Sequence, residues 1–390
     1  MLTLLLLLQD VFAILLAAYH PRINLLGVSS VFGNASLRQV PAEYQAHTPI
    51  STLHTTWNAA SVLTAIGKEK QVPLYRGAAK ALERPAVHAP EVHGESGLEG
   101  TFLLPKPECE PVEKDAVEAM FEALMAQPEE TAWLVATGSL TNIGVLLRRY
   151  PQIISRIKGI SIMGGSLGEG FSDAILGHAD DKDRIGNIGF WAEFNILIDP
   201  EAAAEVFHNK DVAKKTTLVP LDLTHQVLAT NDVRNMLLYG PGGNNEGKGK
   251  TTLRDMLVEL LYFFAETYAN VFGIAEGPPL HDPIAVAAVL IGTSDEIPFS
   301  EWHEKKSTHP KHNERFDVTI VTEGTFEEAR AGTKQTGRTI AKALPAGEEG
   351  VRIPRSVDVA RFWQEIEACV SRADTVNKKN DKAFWTEYRS

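Results

Sequence analysis

The feature that most constrains this fold is an alternation of two periods. Short apolar runs of strand length occupy residues 24–31 (NLLGVSSV), 132–137 (AWLVAT), 158–163 (KGISIM) and 216–221 (TTLVPL). Between them lie stretches with helical period, at residues 116–126, 141–150 and 253–272. In the last, Met256, Leu257, Leu260, Leu261, Phe264 and Tyr268 recur every three or four positions. Strands alternating with helices predict an α/β protein with a mostly parallel sheet flanked by helices. In such sheets ligands bind beyond the carboxyl ends of the strands, so polar residues just after each strand are the first candidates for function.

The opening, MLTLLLLLQDVFAILLAAYHP, tests this reading. Asp10 is the only charged side chain in the first eighteen residues. No basic residue precedes the leucines, as a secretory signal requires. In a membrane span Asp10 would sit mid-core at a cost of ~3 kcal/mol. The stretch therefore reads as a buried strand–turn–helix of a cytoplasmic protein, neither signal nor anchor. With 44% hydrophobic residues among 390, the chain can bury a sizeable core. A formal net charge of −12 repels phosphate backbones, which argues against nucleic acid and leaves a small neutral substrate. Cys109 and Cys369 lie far apart without metal-ligand spacing and read as free thiols of a reducing compartment.

Residues 38–54 have neither period and read as an insertion. Residues 171–189 and 239–250 read as loops rich in Gly, and residues 371–390 as a polar, frayed tail after one domain over residues 1–370. The chemistry concentrates elsewhere. Asn34 follows a strand in VFGN, and Thr137 follows another in ATGSLTN. Asn187, Glu193 and Asn195 crowd into GNIGFWAEFN, and His281 stands beside Asp282 in PPLHDP. Carboxylate, carboxamide and carbonyl oxygens at strand ends suit a hard cation such as calcium, or a polyhydroxylated sugar. The acidic run ADDKDRIGN does not form an EF-hand. Counted from Asp181, position 5 is Ile185 and position 12 is Ala192.

With these motifs in place the chain resembles the inosine–uridine-preferring nucleoside hydrolases. The likeness runs in order through AILLAAYHPRINLLGVSSVFGNASL, TTWNAASVLTAIGK, VPLYRGAAKALERPAVHAPEVHGESGL, ATGSLTNIGVLL, IMGGS, WAEFNILIDPEAA, LVPLDLTHQ and PPLHDPIAVAAVL. The resemblance implies a single α/β domain with a Rossmann-like mixed sheet, assembled as a homodimer or homotetramer. It implies cleavage of the N-glycosidic bond of ribonucleosides to ribose and free base, with bound calcium. On this likeness Asp10 and Asp282 would be calcium ligands, with Thr137 supplying its backbone carbonyl. His281 and His93 would lie on the base side and assist its departure, while Asn34, Asn187, Glu193 and Asn195 would hold the sugar hydroxyls.

The same likeness exposes a departure. The family opens with D-x-D-P-G-x-D-D before a helix like VFAILLAAYHP, and aligned through AILLA only Asp10 survives. Gln9 stands at the preceding acid, Leu5, Leu6 and Leu7 stand at Asp-Pro-Gly, and Thr3 stands at the first acid. Leu5 replaces the carboxylate expected to act as metal ligand and general base, and losing a general base costs ~10²–10⁴ in rate. The expectation is an impaired hydrolase, with a non-catalytic nucleoside- or ribose-binding relative as the alternative. Together with the insertion at 38–54, the altered opening favours a misplaced start or exon boundary over a natural degenerate member.

Overall fold

A computed structural model describes residues 1–4, 8–33, 50–87, 100–179, 182–243, 247–301 and 314–380. Six strands form its central sheet: β1 (Leu2–Leu4), β2 (Val28–Ser30), β3 (Leu74–Tyr75), β4 (Trp133–Ala136), β5 (Gly159–Met163) and β6 (Thr216–Val219). Their order is β3-β2-β1-β4-β5-β6, and every neighbouring pair is parallel. Leu2 is in register with Val28 on one side and Val135 on the other, so β1 is central and the strand order reverses beside it. The gap between the carboxyl ends of β1 and β4 is therefore the crevice in which such a sheet takes its ligand.

The leucine-rich opening is thus the middle of the molecule. The helix Leu8–Tyr19 follows β1, and Val11, Phe12, Ala13, Ile14, Leu15 and Leu16 are fully buried. An apolar run around one acid is what a helix enclosed on all sides needs. It packs against the helices Asp282–Ala287 and Val359–Asn380. Among the described residues no helix is long and apolar enough to cross a membrane.

Local chemistry sets the element ends. Asp115 accepts from the Glu118 amide at the start of Ala116–Met125, and Thr251 accepts from Arg254 at the start of Thr252–Phe272. Gly273, at φ 71°, ends the latter helix in the left-handed conformation that glycine adopts without strain.

Several expectations change here. β1 and β3 are too short, at three and two residues, to stand out from the apolar sequence around them. The main sheet is wholly parallel, and the antiparallel pairing that makes the fold mixed sits in separate ladders such as Phe316–Ile320 with Thr339–Ala343. Residues 34–49 lie outside the described residues, but the helix Ile50–Ala65 already begins within the stretch read as an insertion. The tail does not fray at residue 371: the last helix runs to Asn380, because Ala373 and Asp374 are buried against the body of the protein.

Candidate active site

Two buried acids meet at the crevice. Asp10 lies in the first turn of Leu8–Tyr19, is fully buried, and accepts a 2.5 Å hydrogen bond at Oδ1 from the Thr137 hydroxyl, just past β4. Asp282 opens the helix Asp282–Ala287, where Pro283 tolerates the first turn because no intrahelical N–H is needed there. Its Oδ2 is buried and has no hydrogen-bond partner among the described residues. Burial, reinforced by Asp10 and then Glu193, pushes the Asp282 carboxyl well above the usual carboxylate range.

Glu193 caps the short helix Phe194–Leu197. Its carboxylate accepts from the backbone N–H groups of Asn195 (2.9 Å), Gly165 (2.9 Å) and Ile196 (3.2 Å). Burial still outweighs those three donors and raises the group to about 7. The Asn195 amide donates at 3.2 Å to the carbonyls of both Thr137 and Met163, tying the ends of β4 and β5 together.

His281 closes the site on the side of the long helix. Its backbone N–H donates to Gln9 Oε1 at 2.7 Å, Nδ1 meets the Thr224 hydroxyl at 2.5 Å, and Nε2 meets the Tyr268 hydroxyl at 2.6 Å. Tyr268 stacks on Phe272 at 4.9 Å between ring centroids, and the His225 ring lies 5.4 Å from that of His281. His225 Nδ1 bonds the Ile175 carbonyl at 2.6 Å, and burial pushes that imidazole down to about 4.

The structure thus brings Asp10, Thr137, Glu193, Asn195, His281 and Asp282 to one end of the sheet. Asn187 sits in the adjoining loop, where its Oδ1 accepts from the Phe194 amide at 3.0 Å. Asn34 and His93 lie outside the described residues. Sequence reasoning missed Thr224 and Tyr268 and read Gln9 only as a lost acid. Tyr268 looked like one more member of an apolar helical stripe, and Thr224 in LTHQ carries no spacing signal of its own. Among the described residues no three acidic, histidine or cysteine side chains converge to hold a metal ion. The carboxylates of Asp10 and Asp282 and the Thr137 carbonyl are nevertheless all hard oxygen donors, the chemistry a calcium ion selects.

A doubly wound parallel sheet with acids, amides and a histidine at its switch point defines a Rossmann-like α/β protein. The chain belongs to the family of inosine-uridine preferring nucleoside hydrolases, whose profile matches residues 7–364. It is 36% identical to a uridine nucleosidase of Saccharomyces cerevisiae over 372 residues, 95% of this chain and 94% of the relative. An inosine-uridine preferring nucleoside hydrolase of Crithidia fasciculata is 33% identical over 295 residues, 75% of this chain and 79% of the relative. The fold matches that of a purine-preferring ribonucleoside hydrolase from Gardnerella vaginalis with a TM-score of 0.71 at 22% identity, covering 96% of this chain and 99% of the other.

Proposed function

We propose that this chain is a calcium-dependent hydrolase of uridine- or inosine-type ribonucleosides, cytoplasmic and homo-oligomeric, whose turnover is impaired by its altered opening. The observation that carries the calcium reading is the Asp282 Oδ2 atom, buried without a hydrogen-bond partner among the described residues and close to a second buried acid. Keeping that carboxylate ionised needs a cation, and Asp10, Asp282 and the Thr137 carbonyl would hold it. When bound, calcium supplies a positive anchor for the vicinal hydroxyls of ribose. Asn195 and Glu193 build the sugar wall next to those ligands. His281 and Tyr268 lie across the site as a hydrogen-bonded pair able to face the leaving base.

The impairment follows from side-chain chemistry. Leu5 can neither bind a cation nor take a proton from water, and Gln9 cannot carry the charge of the acid it replaces. A reducing-sugar assay on uridine and inosine in saturating calcium tests this, with D-x-D-P-G-x-D-D rebuilt at residues 3–10 in a parallel variant. The rebuilt chain is expected to release ribose ~10²–10⁴ faster than the chain as it stands. No gain would sink the reading, and ribose binding without turnover in both chains would support a binding protein instead.

A further inference from the structure

Two buried polar atoms near the His281–Tyr268 pair have no hydrogen-bond partner among the described residues: His225 Nε2 and Arg184 Nε. The rest of each side chain fixes what the atom can do. His225 Nδ1 faces the Ile175 carbonyl at 2.6 Å, and a carbonyl only accepts, so Nδ1 carries a hydrogen. Burial keeps the imidazole neutral, which leaves Nε2 as a bare lone pair. Arg184 Nε has the opposite character, since a guanidinium only donates.

Their surroundings point to one ligand for both. The two nitrogens of an imidazole point away from each other. Ile175 is 58% exposed on the loop that follows β5, so Nε2 is turned inward from that surface. The rings of His281, Tyr268 and Phe272 lie with centroids 5.4, 5.9 and 5.8 Å from that of His225. None of them satisfies the lone pair: His281 engages Thr224 and Tyr268 through its two nitrogens, and the Phe272 side chain has nothing to donate. The Arg184 guanidinium lies over the same Phe272 ring, its Cζ 5.0 Å from the centroid. Its Nη2 holds it there by donating to the carbonyls of Asn187 and Gly189, each at 2.9 Å. One acceptor and one donor thus stand around a single aromatic ring, which itself stacks on Tyr268. Unmatched buried polar atoms are rare and costly in a folded protein, and a pair of opposite character calls for a ligand with the complementary pair.

We propose that His225 and Arg184 are specificity-determining residues that read the edge of the leaving base, His225 Nε2 accepting a ring N–H and Arg184 Nε donating to the carbonyl oxygen beside it. That edge is a lactam, which uracil presents at N3–H and O4 and hypoxanthine at N1–H and O6. Cytosine and adenine carry a bare ring nitrogen beside an amino group at the same atoms. Lone pair would then meet lone pair and N–H would meet N–H, so the wrong base is rejected through buried groups left unpaired. That the ligand is a nucleoside rests on the function proposed above.

The test is equilibrium binding of uridine, 3-methyluridine and cytidine to the full chain in saturating calcium, measured by titration calorimetry. Uridine should bind about tenfold tighter than either of the others. His225→Asn keeps an amide N–H near the Nδ1 position for the Ile175 carbonyl and removes Nε2. It should weaken uridine about tenfold and leave cytidine unchanged. His225→Gln, whose amide can turn to accept from uridine or donate to cytidine, should tighten cytidine. In the parent chain with ¹⁵N-labelled histidine, the Nε2 signal of His225 should move upfield with uridine and stay in place with 3-methyluridine. The ligand series needs no variant, so a misfolded His225 variant does not blunt the test. Equal affinities for uridine and cytidine, tighter binding of cytidine, or an unmoved Nε2 signal with uridine bound would each overturn the inference. Uridine bound with the expected discrimination but never cleaved, even with the opening rebuilt, would count against the proposed hydrolase and leave the reading of the base standing.

Discussion

Two of the regions that bury acidic side chains in this molecule handle the charge in opposite ways. At the far end of the long helix, Arg254 is fully buried and pairs with Glu367 through Nη1 and Nη2 at 2.9 and 2.8 Å and with Asp374 through Nε at 2.7 Å. Ser371 and the Leu237 carbonyl accept from the same guanidinium. At the sheet switch point, Asp10, Glu193 and Asp282 lie with hydroxyl and backbone donors, and Asp282 Oδ2 has no partner among the described residues. One cluster carries its cation in the sequence, whereas the other has none among the described residues. Desolvating a carboxylate costs several kcal/mol unless a cation or good donors return it, so a self-sufficient cluster reads as structure and an unmatched one as a site.

The largest effect should come from removing the cation that is present. Arg254→Met leaves two buried carboxylates facing each other, and breaking a pair of this kind costs ~3–5 kcal/mol. The denaturant midpoint of the variant should fall accordingly. An unchanged midpoint would mean that the C-terminal helix holds by its apolar face alone.

The second effect comes from pH at the other cluster. Glu193 titrates near 4.5 when unfolded and about 7 when folded. The folded state therefore holds the extra proton between those values, and its contribution is full below pH 4.5 and lost as pH rises to 7. At ~1.4 kcal/mol per pH unit between the two values, that contribution amounts to roughly 3 kcal/mol. In chelator, the stability of the parent chain should decline across this window relative to Glu193→Gln, whatever the offset between the two. Parallel curves would remove Glu193 as the group responsible.

The third prediction supplies the missing cation. Calcium at a hundred times its Kd should raise the unfolding free energy by about 2.7 kcal/mol. Asp282→Asn should abolish that increment, while being at least as stable as the parent in chelator because an unmatched buried charge has gone. A calcium shift that survives in Asp282→Asn would place the ion elsewhere.

The two clusters also differ in how legible they were. Thr137 could be read because it directly follows the apolar run of β4, and Glu193, Asn195, His281 and Asp282 because polar groups crowd into the short motifs GNIGFWAEFN and PPLHDP; the structure gathers them. The Arg254 clamp was invisible. Its partners lie 113 and 120 residues away, on a helix whose polar surface looked like a solvated tail. Period alone shows which face is apolar and cannot show that two acids on the other face meet a buried arginine. The central strand was hidden for a different reason: β1 is three residues inside a leucine run, where strand and helix periods look alike. Gln9, finally, was legible as a substitution and not as a contact, since its partner, the His281 backbone N–H, lies 272 residues away.

The smallest effect separates the two roles of Thr137. Its hydroxyl donates to Asp10, whereas the metal reading uses only its backbone carbonyl. Thr137→Val deletes the hydroxyl and keeps both the shape and the carbonyl, so Asp10 loses one charged hydrogen bond, an effect of ~1–2 kcal/mol. That loss should be measured in chelator, where Asp10 depends most on its donors. In saturating calcium it should shrink, because a cation beside Asp10 takes over the same charge. Thr137→Ser, which restores the donor, should recover most of the stability in chelator. If instead the loss in Thr137→Val were the same with and without calcium, the ion would not be touching Asp10. The contrast between the two clusters would then rest on Asp282 alone.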